Sequence, residues 1–351
     1  MNRAAVAVGA TVGLFVLVQV FALVLVAPFD AAGYQAVPEG QTDDPVNSLV
    51  YVGAILVATA VMLAAFKFGV DGFVRGLIIL SAGSISYYVF SVLVPYVPVF
   101  GLSGVAALAA LVVAGALLLY PEWFVIDAAG VVMGGGAAGL FGISFGLLPS
   151  IVLLAVLAVY DAISVYGTEH MLDLAAGVME LKVPVLLVVP LSLSYSFLDA
   201  AGRDRESMSS DGGTADDERP TDDSPTDDAT TGEETTEPAS DGSAATSEET
   251  EPLDRDAFFI GLGDAVMPTV LVASAAHFSP APAVLAGVSL PALAAAVGTL
   301  VGLLVLMRFV LRGRAHAGLP LLNGGAIAGY LVGAVFAGIP LVEALGVAAY
   351  L

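Results

Sequence analysis

Two aspartates stand inside apolar stretches of this chain. Asp161 lies in Val159-Tyr160-Asp161-Ala162, and Asp264 lies in Phe258-Phe259-Ile260-Gly261-Leu262-Gly263-Asp264-Ala265-Val266, about a hundred residues later. An ionisable side chain at membrane depth costs roughly 2.5–3.5 kcal/mol on insertion scales, so each invites a functional reading. Two carboxylates a few ångströms apart do not both ionise cheaply, and they share a proton. The ionised member activates a water as general base, while the protonated member polarises and protonates a scissile carbonyl. Such a pair hydrolyses peptide bonds without a metal, a thiol or a cofactor. The chain agrees with that chemistry: it has no cysteine, only three histidines and no H-E-x-x-H motif. The expected catalytic residues are therefore Asp161 and Asp264, with no metal site. The same carboxylates also suit an ion- or proton-conducting channel or transporter, which is the alternative function.

The elements that must position this pair are membrane helices. The chain is 58% hydrophobic with a mean hydropathy of +0.92, whereas a soluble domain is about 45–50% apolar. Apolar runs at about 4–27, 48–66, 76–95, 101–119, 128–148, 150–167, 257–277, 283–310 and 317–337 approach the ~20 residues that a spanning helix takes. The fold expected is an all-α polytopic membrane protein of nine transmembrane helices. The first run is too long for a signal-peptide core and exits through Ala27-Pro28-Phe29 without a small-x-small cleavage site, so it is expected to stay. Val183 to Leu198 contains Pro184 and Pro190 and is expected to be re-entrant or interfacial, with a tenth span as the other choice. The closing Pro340–Leu351 segment is too short to cross again.

Basic residues set the orientation. With the N-terminus cytoplasmic, Arg3, Lys67, Arg75, Lys182, Arg203, Arg205, Arg308, Arg312 and Arg314 all fall inside, and the external loops hold no lysine or arginine. That arrangement needs an odd number of spans and puts the C-terminus outside. Depth then brings the aspartates level. Asp161 lies about 16 Å below the outer face at 1.5 Å per residue, hence about 14 Å from the inner one, and Asp264 lies about 10 Å above the inner face.

The net charge of −22 is concentrated in one segment. Residues 201–256 carry 19 acidic and 4 basic side chains, against 14 and 7 in the remainder. A tract of Asp, Glu, Thr, Ser, Gly and Pro buries too little apolar surface to order itself. Three parts follow: residues 1–199 form a six-span N-terminal half, 200–256 an acidic, disordered cytoplasmic linker, and 257–351 a three-span C-terminal half. Scarce lysine and abundant carboxylate point to a halophilic source, because acidic surfaces stay hydrated and mutually repelling in high salt.

Tyr160-Asp161 followed by Gly261-Leu262-Gly263-Asp264 resembles the YD and GLGD pair of the presenilin and signal peptide peptidase family of intramembrane aspartyl proteases. Nine spans, a long hydrophilic loop after the sixth and an N-in orientation resemble presenilin, in particular an archaeal presenilin homologue; signal peptide peptidases run the opposite way. Tyr166-Gly167-Thr168-Glu169 is similar to the family's continuation after YD. The family's third signature, a Pro-Ala-Leu turn opening the ninth span, is matched by Leu319-Pro320-Leu321-Leu322, with Leu321 in place of alanine. The resemblance implies an aspartic endopeptidase that cuts transmembrane helices of membrane proteins or signal peptides. It implies Tyr160, Gly261, Leu262, Gly263, Leu319, Pro320, Leu321 and Leu322 as substrate-positioning residues, Leu321 narrowing the site. Gly261 and Gly263 clear side chains from around Asp264, so that a helix or a substrate backbone can approach. The expected partners are transmembrane-helix substrates and the lipid bilayer, with a homo-oligomer allowed and no nucleic acid.

Other motifs point elsewhere. Gly142-Ile143-Ser144-Phe145-Gly146 matches the G-x-S-x-G of serine hydrolases, but that motif needs a strand–turn–helix setting or a histidine base. Beside Gly134-Gly135-Gly136, its small residues more simply serve helix packing. His170, His277 and His316 fall near span ends, away from Ser144. Glu169, Asp173 and Glu180 are expected to face cytoplasmic water, and Asn323 to hydrogen-bond within the bundle. Six spans before the linker and three after it leave no inverted repeat, which weighs against a transporter.

Overall fold

A computed structural model describes residues 3–38, 40–99, 101–167, 186–190, 257–312 and 317–347. The apolar runs form helices because a backbone without water must satisfy its own N–H and C=O groups. In chain order these are α1 (Arg3–Ala31), α2 (Val46–Lys67), α3 (Asp71–Leu93), α4 (Gly104–Leu119), α5 (Trp123–Ser144) and α6 (Leu147–Gly167). After the connector come α7 (Leu262–Phe278), α8 (Leu290–Val310), α9 (Gly318–Phe336) and the single turn α10 (Leu341–Ala344).

Among the described residues, seven helices are long and apolar enough to cross a membrane: α1, α2, α3, α5, α6, α8 and α9. The remaining two, α4 and α7, are equally apolar but only 16 and 17 residues long. Large apolar side chains such as Leu17, Val57, Leu80, Leu111 and Val301 point outward. In water such a surface would aggregate; in a bilayer it is the face that lipid covers.

The structure corrects two expectations and sharpens a third. The seventh helix does not start at 257: Ala257–Gly261 is a strand, β4, and the helix begins at Leu262. The eighth does not start at 283, because Ala283–Leu285 (β5) and Val288–Ser289 (β6) form a hairpin first. Its turn holds Ala286 and Gly287 at φ 50° and 83°, the left-handed pair of a tight hairpin. Within 183–198, expected to be re-entrant or interfacial with a tenth span as the other choice, the described Leu186–Pro190 is a strand, β3, and not part of a spanning helix; it pairs antiparallel with β4. A further two-residue pair, β1 (Pro98–Val99) and β2 (Leu102–Ser103), leads into α4. The acidic stretch 200–256, Glu169, His170, Asp173, Glu180 and His316 lie outside the described residues.

Small residues let the helices close up. Gly142 of α5 rests on the Ala273 backbone of α7, and Gly298 of α8 and Gly325 of α9 each lie against the other's carbonyl. A side chain at any of these would meet main chain, which cannot swing away. The core beneath the aspartates joins α1, α5, α7, α8, α9 and both strands, through Phe15, Leu187, Val189, Ile260, Leu262, Val266, Leu303, Leu306 and Leu322.

Candidate active site

Asp161 sits in the last third of α6 and is 8% exposed. Its Oδ2 accepts the backbone N–H of Leu319 at 3.0 Å, and the Gly318 N–H also points to the carboxylate. These are first-turn amides of α9, which have no partner within their own helix. The positive end of α9 therefore meets a carboxylate, a favourable arrangement of charge and dipole. Pro320 follows where its missing N–H is not needed.

Asp264 sits in the first turn of α7, again at a helix N-terminus. Its Oδ2 is 3.5 Å from the point where a Cβ on Gly318 would stand, and 3.3 Å from that point on Gly261. Glycine at 261 and 318 thus keeps both flanks of this carboxyl clear. Gly318 touches Asp264 on one side while its own N–H and that of Leu319 address Asp161. The two carboxyls converge on one dipeptide and lie near enough for the charge of Asp161 to act on Asp264. Sequence depth counting expected a meeting of two helix interiors; the meeting occurs instead between α6 and the first turns of α7 and α9.

The other expected residues divide. Leu262 is buried and packs against Gly130 and Gly134 of α5, so it seats the strand–helix junction. Gly263 is exposed, and a Cβ there would meet nothing within 4 Å. Tyr160 is half exposed beside Asp161. Leu321 is partly buried against the core that includes Leu303, Leu306 and Met307, and Leu322 is fully buried in it. Asn323, also fully buried, donates its Nδ2 to the Leu154 carbonyl at 3.0 Å and so ties α9 to α6.

The G-x-S-x-G segment has structural work. Ser144 Oγ donates to Leu140 O at 2.6 Å and accepts the Ala36 N–H at 2.8 Å, while the Gly146 N–H donates to Thr42 O. It anchors the loop after α1. His277 stands 3.7 Å from Asp30 at the ends of α7 and α1. Among the described residues, no three His, Asp or Glu side chains gather as a metal site.

The sequence reading quoted Tyr166 only within a family motif and missed Asp127 altogether. The Tyr166 hydroxyl accepts the Ala317 N–H at 3.4 Å, adding a third link from α6 to the start of α9. Asp127 is a third carboxylate within an apolar helix, 7% exposed, and its Oδ1 accepts the Val188 N–H at 2.7 Å. Starting the fifth span at 128 put Asp127 just outside it; the signal was an acid followed by 33 uncharged residues, 128–160.

Residues 12–339 match the family model described as signal-peptide peptidase, presenilin aspartyl protease. Among solved structures, the chain is similar to a presenilin family intramembrane aspartate protease in space group C222. The identity there is 31% over 94% of this chain and 99% of that one, with a TM-score of 0.59. A P2 form of such a protease gives 31% identity over 93% and 97% of the two chains, with a TM-score of 0.57. No curated protein sequence matches.

Proposed function

The chain belongs to the signal-peptide peptidase and presenilin family of aspartyl proteases, and from that premise we propose that Asp161 and Asp264 are its catalytic dyad. The protein is an intramembrane aspartyl protease. Convergence of both carboxyls on Gly318-Leu319 is the observation that carries the assignment. One carboxyl takes a proton from water as the oxygen adds to the scissile carbonyl carbon, and the other protonates the carbonyl oxygen. The tetrahedral intermediate then collapses, the C–N bond breaks and the amine leaves with a proton from the dyad.

A substrate helix must unwind to expose its peptide bonds. The strand β4 runs straight into Gly261-Leu262-Gly263-Asp264, so an extended substrate segment adding to this sheet would be led to the dyad. Val188 of β3 already gives its outward N–H to Asp127, which favours addition on the β4 side. Gly263, with open space where a side chain would be, leaves room for that backbone. Leu319, Pro320, Leu321 and Leu322 then act on substrate by holding the α9 turn in place, and Tyr160 flanks its path.

The wider arrangement extends the same reading. Counting α4 and α7 as crossings makes nine, with the N-terminus and the 200–256 linker cytoplasmic and the C-terminus external. All basic residues then lie on the cytoplasmic side. The halves 1–199 and 257–351 each supply one aspartate. Nothing in the fold or the relatives favours an ion pathway. The test is cleavage of a single-span substrate by the purified full chain in liposomes. Asp161→Ala and Asp264→Ala should each abolish it and also abolish tight binding of a hydroxyl-isostere transition-state analogue. Retained cleavage in either folded variant overturns the dyad.

A further inference from the structure

The buried carboxylate of Asp127 takes no part in the chemistry above, yet it sits against the strands that lead to it. Asp127, Gly130 and Gly134 recur at spacings of three and four, which places them on one face of α5. Along that face Asp127 binds the Val188 N–H, Gly130 lies against Leu187 and Leu262, and Gly134 lies against Leu262 and Val266. One stripe of α5 thus seats both β3 and the start of α7.

The register of β3 on β4 needs such a seat. Val188 stands opposite Phe259, with Leu187 opposite Ile260 and Val189 opposite Phe258. Because the Val188 N–H goes to α5, this is a non-hydrogen-bonded pair of the antiparallel ladder. In a hairpin, a tight turn fixes register. Here residues 191–256 separate the strands, so no turn can do so. A slip of two residues, which keeps each side chain of β3 on its own buried face, would set Val188 opposite Ala257 and move the Gly261-Leu262 junction by about 6.6 Å. Misplacements of about 1 Å already cost on the order of a hundredfold in rate.

We propose that Asp127 is a positioning residue: by binding the Val188 N–H it locks β3 in register with β4, and so fixes where the strand ends and the Asp264-bearing helix begins. A carboxylate suits the task because it is a strong acceptor for a main-chain amide. It lies in the second turn of α5, near the positive end of that helix. Only the consequence for cleavage rests on the protease reading; the register itself does not.

The chain has no cysteine, so paired cysteines report register directly. In full-length protein in liposomes, Val188→Cys with Phe259→Cys should oxidise readily, since a non-hydrogen-bonded pair brings Cα atoms to about 4.5 Å. Val188→Cys with Ala257→Cys, two residues out of register, should oxidise poorly. Adding Asp127→Ala should shift the yield toward the 257 pair on the order of tenfold, whereas Asp127→Asn, which keeps the acceptor oxygen, should leave it unchanged. Asp127→Ser, polar but too short to reach the amide, should shift the yield even if the alanine variant does not fold. With a transmembrane substrate, mass spectra of the products should show displaced or additional cleavage positions for Asp127→Ser and the original position for Asp127→Asn. An unchanged crosslink ratio in the serine variant overturns the proposal, as does a shift in the asparagine variant. Crosslinking as expected in a wild-type chain that cleaves nothing would instead count against the protease reading and leave the register role standing.

Discussion

Leu319 donates its backbone N–H to Asp161 at 3.0 Å, so the carboxylate proposed for catalysis also closes the first turn of α9. The two duties separate by substitution. Asp161→Asn keeps an oxygen acceptor for the amide but cannot share a proton with Asp264. It should retain the fold and lose cleavage by at least 10²–10⁴-fold. Asp161→Ala should lose cleavage and in addition about 1–3 kcal/mol of stability. Thermal unfolding beside the peptidase assay reads both, and an active Asp161→Asn would rule the carboxylate out.

Ser144 should prove dispensable for chemistry. Its hydroxyl holds the Ala36 amide and the Leu140 carbonyl, so Ser144→Ala removes an anchor of the loop after α1. The expected result is a stability loss of about 1 kcal/mol with cleavage intact. A folded variant without activity would reopen the serine mechanism.

Two neighbouring glycines of the α8–α9 pair should behave oppositely. A Cβ on Gly302 would run into the Leu321 main chain, whereas one on Gly324 would meet nothing within 4 Å. Gly302→Ala should cost about 1–3 kcal/mol through overpacking and push the α9 turn off the dyad, lowering cleavage as well. Gly324→Ala should leave stability equal or raise it by up to about 1 kcal/mol, alanine being the better helix former. Equal melting temperatures for the two variants would contradict this packing.

Leu321→Ala restores the Pro-Ala-Leu wording at the start of α9. Because Leu321 is only partly buried against the core, the variant should lose less than the 2–5 kcal/mol typical of a buried leucine, about 1–2 kcal/mol. Cleavage should persist, with bulkier residues accepted beside the scissile bond if Leu321 narrows that path. A substrate profile identical to wild type would assign Leu321 to packing alone.

The helices and the two aspartates were legible because they are local signals: long apolar runs, and acids where none should be. The strands were not. Leu186–Pro190 and Ala257–Gly261 are five-residue apolar runs that periodicity cannot tell from helix ends, and each becomes a strand only by pairing with the other across a long connector. The β5–β6 hairpin hid for a different reason. Its turn, Ala286-Gly287, is as apolar as its flanks and lacks the usual Asn-Gly or Asp-Gly marker. The third signature was readable as a motif, but its role in delivering amides to Asp161 depends on where α9 begins, a tertiary fact.

The pairing of β3 with β4 bears on the acidic connector. The sheet fixes both ends of residues 191–256 in space, whatever lies between them. For a flexible connector, which the composition of this tract leads one to expect, the entropy of closure rises only with the logarithm of length, about 0.6 kcal/mol for each doubling. Halving or doubling the tract is therefore expected to shift the folding free energy by only about that much, which thermal unfolding of shortened and lengthened variants would check. That makes it the natural place to graft a reporter domain or an affinity tag onto this protease.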